Sequence, residues 1–127
     1  GQWLTISDRN VKENFRSVDS RAILERLAAM PIETWNYKTQ DDSIRHIGPM
    51  AQDFSAAFGV GPDDKHIGTL DADGVALAAI QGLHQLVQEK DAALSIQQGR
   101  IEKLEARLTE LELMVTKLAS MTTKSRP

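Results

Sequence analysis

The 127-residue chain contains no cysteine. That excludes disulfides, thiol catalysis and cysteine-ligated zinc, and leaves the redox compartment open. An excess of charge of one sign is missing too: 15 Lys and Arg stand against 18 Asp and Glu, a net charge of −3, so nothing in the balance points to nucleic acid. No apolar run approaches the roughly 18 residues that a membrane helix needs. Gly1-Gln2-Trp3-Leu4 has neither the basic start nor the apolar core of a signal peptide. The opening reads as a cut from a longer polypeptide. Metal-site spacing is absent as well. His46, His66 and His84 form no pair at i, i+4. Asp71-x-Asp73-Gly74 lacks the glutamate that a calcium loop carries six residues after its glycine, where Ile80 stands. The expectation is a protein with no metal, no cofactor, no nucleic-acid partner and no membrane span.

What is present is a period of seven. With Ile80 at position a, the a positions are Ile80, Val87, Leu94, Ile101, Leu108 and Val115, all aliphatic. Position d holds Leu83, Leu104, Leu111 and Leu118, with Lys90 and Gln97 as polar exceptions. Arg100 and Arg107 at g face Glu105 and Glu112 at e of the next heptad, which is how parallel strands pair across a seam. The pattern predicts a parallel, self-associating helix on the order of 60 Å long at about 1.5 Å per residue. Strand number stays open: Ile or Val at a with Leu at d favours two strands, whereas Leu94 and Leu108 at a and Gln97 at d do not. Ser120 to Pro127 is polar and is expected to fray.

About the first 75 residues remain for a compact unit, a size at which burial is marginal and association with further copies is expected. Asp19 or Ser20 caps a helix with Ile23, Leu24, Leu27 and Met30 on one face, and Pro31 stops it. Ile32 to Lys38 and Ile44 to Gly48 read as a hairpin, with Trp35 and Tyr37 on one face. Those two rings are expected to pack on the helix of residues 20 to 30. Pro49 suits the first turn of a short helix carrying Met50, Phe54 and Phe58, with Gly59 at its left-handed end. His66 to Leu70 is a short strand candidate, and Asp71 to Gly74 reads as a turn.

Candidate chemistry is concentrated near the start. Ser7 stands five residues before Lys12, and a serine with a lysine base is an alternative to the Ser-His-Asp triad. Spacing alone is equally met by Ser7 or Asp8 capping a turn beside a solvated lysine. Chemistry requires a neutral Lys12, through desolvation or nearby positive charge, for which Arg9 is a source. His46 reads as a strand residue ahead of a catalytic helper or nucleotide contact.

The segments Ser7-Asp8-Arg9, Lys12-Glu13-Asn14, Trp35-Asn36-Tyr37-Lys38, Arg45-His46-Ile47-Gly48 with Ala51-Gln52-Asp53, and Asp71-Ala72-Asp73-Gly74 precede the heptads in that order. This succession, over about residues 7 to 118, resembles the C-terminal intramolecular chaperone domain of endosialidases and other phage tail spikes. The same domain is the self-cleaving unit of some bacterial surface proteins and of myelin regulatory factor. The resemblance implies an α+β fold, a small strand-and-helix head followed by a long C-terminal helix in a parallel trimeric coiled coil. Its divisions would be an upstream stub 1–6, a head 7–75, a trimerisation helix 76–121 and a frayed tail 122–127. It implies Ser7 as nucleophile on an adjoining peptide bond, Lys12 as base and Asp8 as neighbour of the cleavage site. Trimerisation would run through Ile80, Leu83, Val87, Leu94, Ile101, Leu104, Leu108, Leu111, Val115 and Leu118. The implied partners are two further copies and the upstream domain of the same precursor. The implied location is a virion tail fibre or spike, or a bacterial surface precursor, folded in the cytoplasm before release. Pro49 stands where other members often carry a bulky apolar residue, so packing there is expected to differ. The alternatives are a non-cleaving trimerisation cap and a coiled-coil adaptor for an unrelated helix.

Overall fold

The computed structural model describes residues 4–124, the side chain of Lys124 excepted. Along the chain come a single 3-10 turn at Arg9–Val11, helix α1 at Ser20–Ala29, strands β1 at Glu33–Trp35 and β2 at His46–Gly48, helix α2 at Ala51–Phe58, and helix α3 at Thr69–Lys124. A small strand-and-helix head followed by a long C-terminal helix is therefore the observed architecture. Compactness divides the chain after Leu86.

In the first unit, α1 starts where Asp19 accepts from the amides of Arg21 and Ala22 at 3.1 and 3.2 Å, satisfying donors that the first turn leaves orphaned. It ends at Ala29, before Pro31. The strands pair antiparallel, Glu33 with Gly48, Thr34 with Ile47 and Trp35 with His46. They are shorter than the sequence suggests because side chains take over at the turn end. Gln40 Oε1 accepts from Tyr37 N and Asp41 Oδ1 from Ser43 N, drawing Tyr37 to Ser43 out of the ladder into a side-chain-tied loop. Helix α2 begins after Met50, one residue past Pro49, and ends at Gly59 in the left-handed region at φ 60°, where glycine carries no Cβ penalty.

The core is thin. Met30, Phe54 and Val75 are buried, with Ile23, Leu27, Phe58 and Ile67 packed around them. It explains two departures from expectation. Residues 66–70 do not form a strand, and Asp71 to Gly74 is not a turn, because α3 already starts at Thr69. Helix from that point sets Val75 against Phe54 and Met30, and this burial outweighs the helix cost of about 1 kcal/mol for Gly74. The face of α3 turned to the head continues through buried Ala79 and Gly82 to half-buried Leu86. A Cβ on Gly82 would stand against the Ser20 carbonyl, 2.8 Å from its carbon and 3.2 Å from Leu24 Cβ. Glycine is thus what admits α1 to this distance.

In the second unit, from Val87 onward, α3 stays helical through residues 122–124, part of the stretch expected to fray; residues 125–127 lie outside the described residues. The apolar seam positions Val87, Leu94, Ile101, Leu104, Leu108, Leu111, Val115 and Leu118 are all exposed in the single chain. Thr109, Thr116 and Thr123, one heptad apart, donate their hydroxyls to the carbonyls of Glu105, Glu112 and Ala119 at 2.9–3.0 Å.

A serine–lysine pair in the leading arm

Residues 4 to 18 form an arm that is exposed along its described length. Its local shape is set by Asp8. The carboxylate accepts from Asn10 N at 3.0 Å and Asn10 Nδ2 at 3.1 Å, and this cap tightens Arg9–Val11 into one 3-10 turn. Val11 N then donates to Asp8 O and Lys12 N to Arg9 O. A turn of that kind reverses the chain between residues 7 and 12. Lys12 Nζ consequently donates to Ser7 Oγ at 2.7 Å. The two readings of this stretch are compatible: Asp8 caps a turn, and the capped turn makes the serine–lysine contact. Sequence reasoning passed over Asn10, which ties the cap from its far side, and Asn14, which turns the chain out of the pair at φ 56°. The signals were available, since Asp-x-Asn is a side-chain turn pattern and Asn tolerates positive φ.

Trp35, Tyr37 and His46 form a second cluster. Trp35 meets Tyr37 edge-on with centroids 4.9 Å apart, and His46 lies 4.9 Å from Trp35 and 5.5 Å from Tyr37. The ring contacts are thus within the hairpin, where packing on α1 had been expected. His46 Nε2 lies 3.0 Å from Gln40 Oε1; a carboxamide oxygen only accepts, so Nε2 carries the proton. His46 is a strand residue tied to its own loop. A cavity of about 520 Å³ opens beside these rings toward Met50, Gln52, Lys65 and His66. Two loop carboxylates are held below the ordinary aspartate range. For Asp41 the main cause is the Ser43 hydroxyl, and for Asp63 the backbone amide of Lys65, followed by His66.

The remaining candidate residues lie on α3. Ile80 and Leu83 are exposed like the seam positions beyond them, so the helix offers its apolar stripe unpaired. Among the described residues, no three His, Cys, Asp or Glu side chains gather as a metal would require. Among the same residues, no helix is long and apolar enough to cross a membrane.

These features define a class: a thin-cored α+β head on a long amphipathic helix, with a hydroxyl and an amine joined by a capped turn in its leading arm. Residues 7–61 match the family described as chaperone of endosialidase. That segment is an endosialidase-type intramolecular chaperone domain, and it takes in the serine–lysine pair, α1, the hairpin and α2. No curated protein matches the chain.

Proposed function

We propose that the chain is an intramolecular chaperone that trimerises and registers an upstream fibre or tail-spike protein, and then releases itself by serine–lysine autoproteolysis. The observation that carries the reading is the 2.7 Å contact between Lys12 Nζ and Ser7 Oγ inside the segment matched by the family. The divisions follow the sequence: stub 1–6, head 7–75, coiled-coil helix 76–121 and tail 122–127. The partners are two further copies and the upstream domain of the precursor, in a phage tail or a bacterial surface protein.

Chain geometry selects the bond. Attack by Ser7 Oγ on the carbonyl of Ser7 itself would close a four-membered ring, whereas attack on the Ile6 carbonyl closes a five-membered one. The scissile bond is therefore Ile6–Ser7. Neutral Lys12 takes the Ser7 hydroxyl proton as Oγ bonds to the Ile6 carbonyl carbon. The C–N bond breaks, and the proton passes to the departing Ser7 amine. Water then hydrolyses the Ile6 ester, freeing a carboxylate at Ile6 and restoring the Ser7 hydroxyl. Lys12 must be neutral at the start, and burial favours that form. Both residues are exposed in the single chain, so the burial has to come from packing with other copies. Cleavage would then report completed assembly. The coil serves the chaperone role directly: three associated helices hold three upstream chains in register at high effective concentration.

The test is mass analysis of the chain preceded by its natural upstream segment. Two fragments split between Ile6 and Ser7 are expected, and Ser7→Ala, Lys12→Ala and Lys12→Arg should each stay whole, the last because arginine cannot act as a base. Cutting that persists in all three variants would assign the break to another protease. An intact parent chain that still forms trimers would favour the non-cleaving cap.

A further inference from the structure

The arm carries more apolar surface than its own chain covers. Leu4, Ile6, Val11, Phe15 and Val18 are all large, and all more than half exposed. The hydrogen bonds that shape it join arm residues to one another. At the arm's root lies an open apolar cavity of about 330 Å³, lined among others by Val18, Phe58, Val60, Leu70, Val75 and Ala78. Phe15 stands only three residues from Val18, about 10 Å of extended chain, yet it remains 69% exposed. An unfilled apolar cavity beside an uncovered aromatic ring is a complementary pair that one chain leaves apart.

The surface between cavity and seam identifies what brings them together. Leu70 on the cavity wall, Leu77 and Ile80 are exposed at 51%, 65% and 61%. They occupy heptad positions e, e and a, with Asp73 at the preceding a position and Asp71 on the cavity rim, so the cavity lies beside the first turns of the seam helix. A parallel copy seated on that seam has its own arm root at the same level along the helix as this cavity. We propose that Phe15 of one copy seats in the cavity at the base of α3 of a second copy. This rests on the self-association read above, and it adds which residues meet and how the burial reaches Lys12. The ring is an aromatic anchor burying about 150–250 Å². Docking it brings the capped turn that lies upstream, with Val11, Lys12 and Ser7, toward the neighbouring copy.

The absence of native cysteine makes the test direct. A chain with Arg16→Cys is refolded with a mass-tagged chain carrying Val60→Cys, and the mixture is treated with a short bismaleimide. Val60→Cys keeps a small apolar side chain at the cavity wall. Leu118→Cys, a seam residue, is the control for parallel self-association. A mixed adduct is expected, and Phe15→Asp in the arm-bearing chain should reduce it by about tenfold or more, as loss of a central aromatic anchor does. No mixed adduct while the Leu118→Cys chains cross-link would overturn the arm exchange and leave the coil standing. Cross-linking confined within single chains carrying both cysteines would overturn it equally, because the ring would then fill its own cavity. Failure of the seam control as well would refute self-association itself.

Discussion

Gly82→Ala is the substitution on which propensity and packing disagree most sharply. In a helix interior, alanine for glycine is worth about 1 kcal/mol in favour of the folded state. At Gly82 the added methyl would press on the backbone carbonyl of Ser20, 2.8 Å from its carbon, with Leu24 Cβ 3.2 Å away. A carbonyl at the start of α1 cannot rotate aside as a side-chain tip can. Relief requires α1 to shift, and overpacking of this kind costs about 1–3 kcal/mol. With the clash at the upper end, the net change is a destabilisation of about 2 kcal/mol, or roughly 8–16 °C in midpoint for a unit of this size. Gly74 and Gly99 are the internal controls: both lie in α3, and a Cβ at either meets nothing within 4 Å. Alanine there should raise the midpoint by a few degrees. The assay is thermal unfolding by circular dichroism at one fixed chain concentration, since assembly makes the midpoint concentration-dependent. A Gly82→Ala chain as stable as its parent would refute the close approach of α1 to α3.

The remaining predictions concern assembly and pH. Ile101→Asp with Leu104→Asp places two unpaired charges in a seam built for aliphatic side chains. Light scattering should fall from three times the chain mass to one, and self-cleavage should slow, recovering in part at higher concentration. A demonstrably monomeric variant that cuts at the parental rate would show that the pair is competent within one chain. Asp41 and Asp63 titrate below the ordinary aspartate range, through the Ser43 hydroxyl and the Lys65 amide respectively. A folded value below the unfolded one means that the stability they add to their loops is present above the unfolded value and is lost as pH falls through the folded one. The Ser43 and Lys65 amide shifts should therefore move only below the usual carboxylate range; movement at the free-aspartate pH would mean that those hydrogen bonds are not formed.

The parts legible in the sequence were those that local chemistry decides. Asp19 and Pro31 bracket α1, and Gly59 closes α2, because capping, ring closure and positive φ act over one or two residues. The period of seven announced the long helix because one helical face repeats its apolar residues along the chain without help from distant elements. The start of α3 was misjudged because Asp71 to Gly74 carries turn residues, while the decisive force is distant: Val75 fills the space beside Met30 and Phe54. The role of Gly82 could not be read at all, since nothing near it in the chain signals Ser20. At the candidate site the spacing of Ser7 and Lys12 was visible. What the spacing did not convey was that Asp8 and Asn10 fold the intervening turn.

The threonines at 109, 116 and 123 carry a consequence for the mechanics of α3. Each hydroxyl competes with a backbone amide for the carbonyl four residues earlier, which draws that carbonyl outward and bends a helix locally. These three fall at position b, away from the apolar stripe, while Thr122 at position a makes the same bond to the Leu118 carbonyl at 2.9 Å. Repeated on the outer side, such bonds favour a concave apolar side, the curvature of a helix that wraps around a partner. A helix with a repeat of seven must coil left-handed to keep its seam in contact, and a straight one has to be deformed at each heptad to do so. Hydroxyl bonds repeated at each heptad on the outer face would lower the cost of that deformation, so that winding meets less resistance from the helix itself.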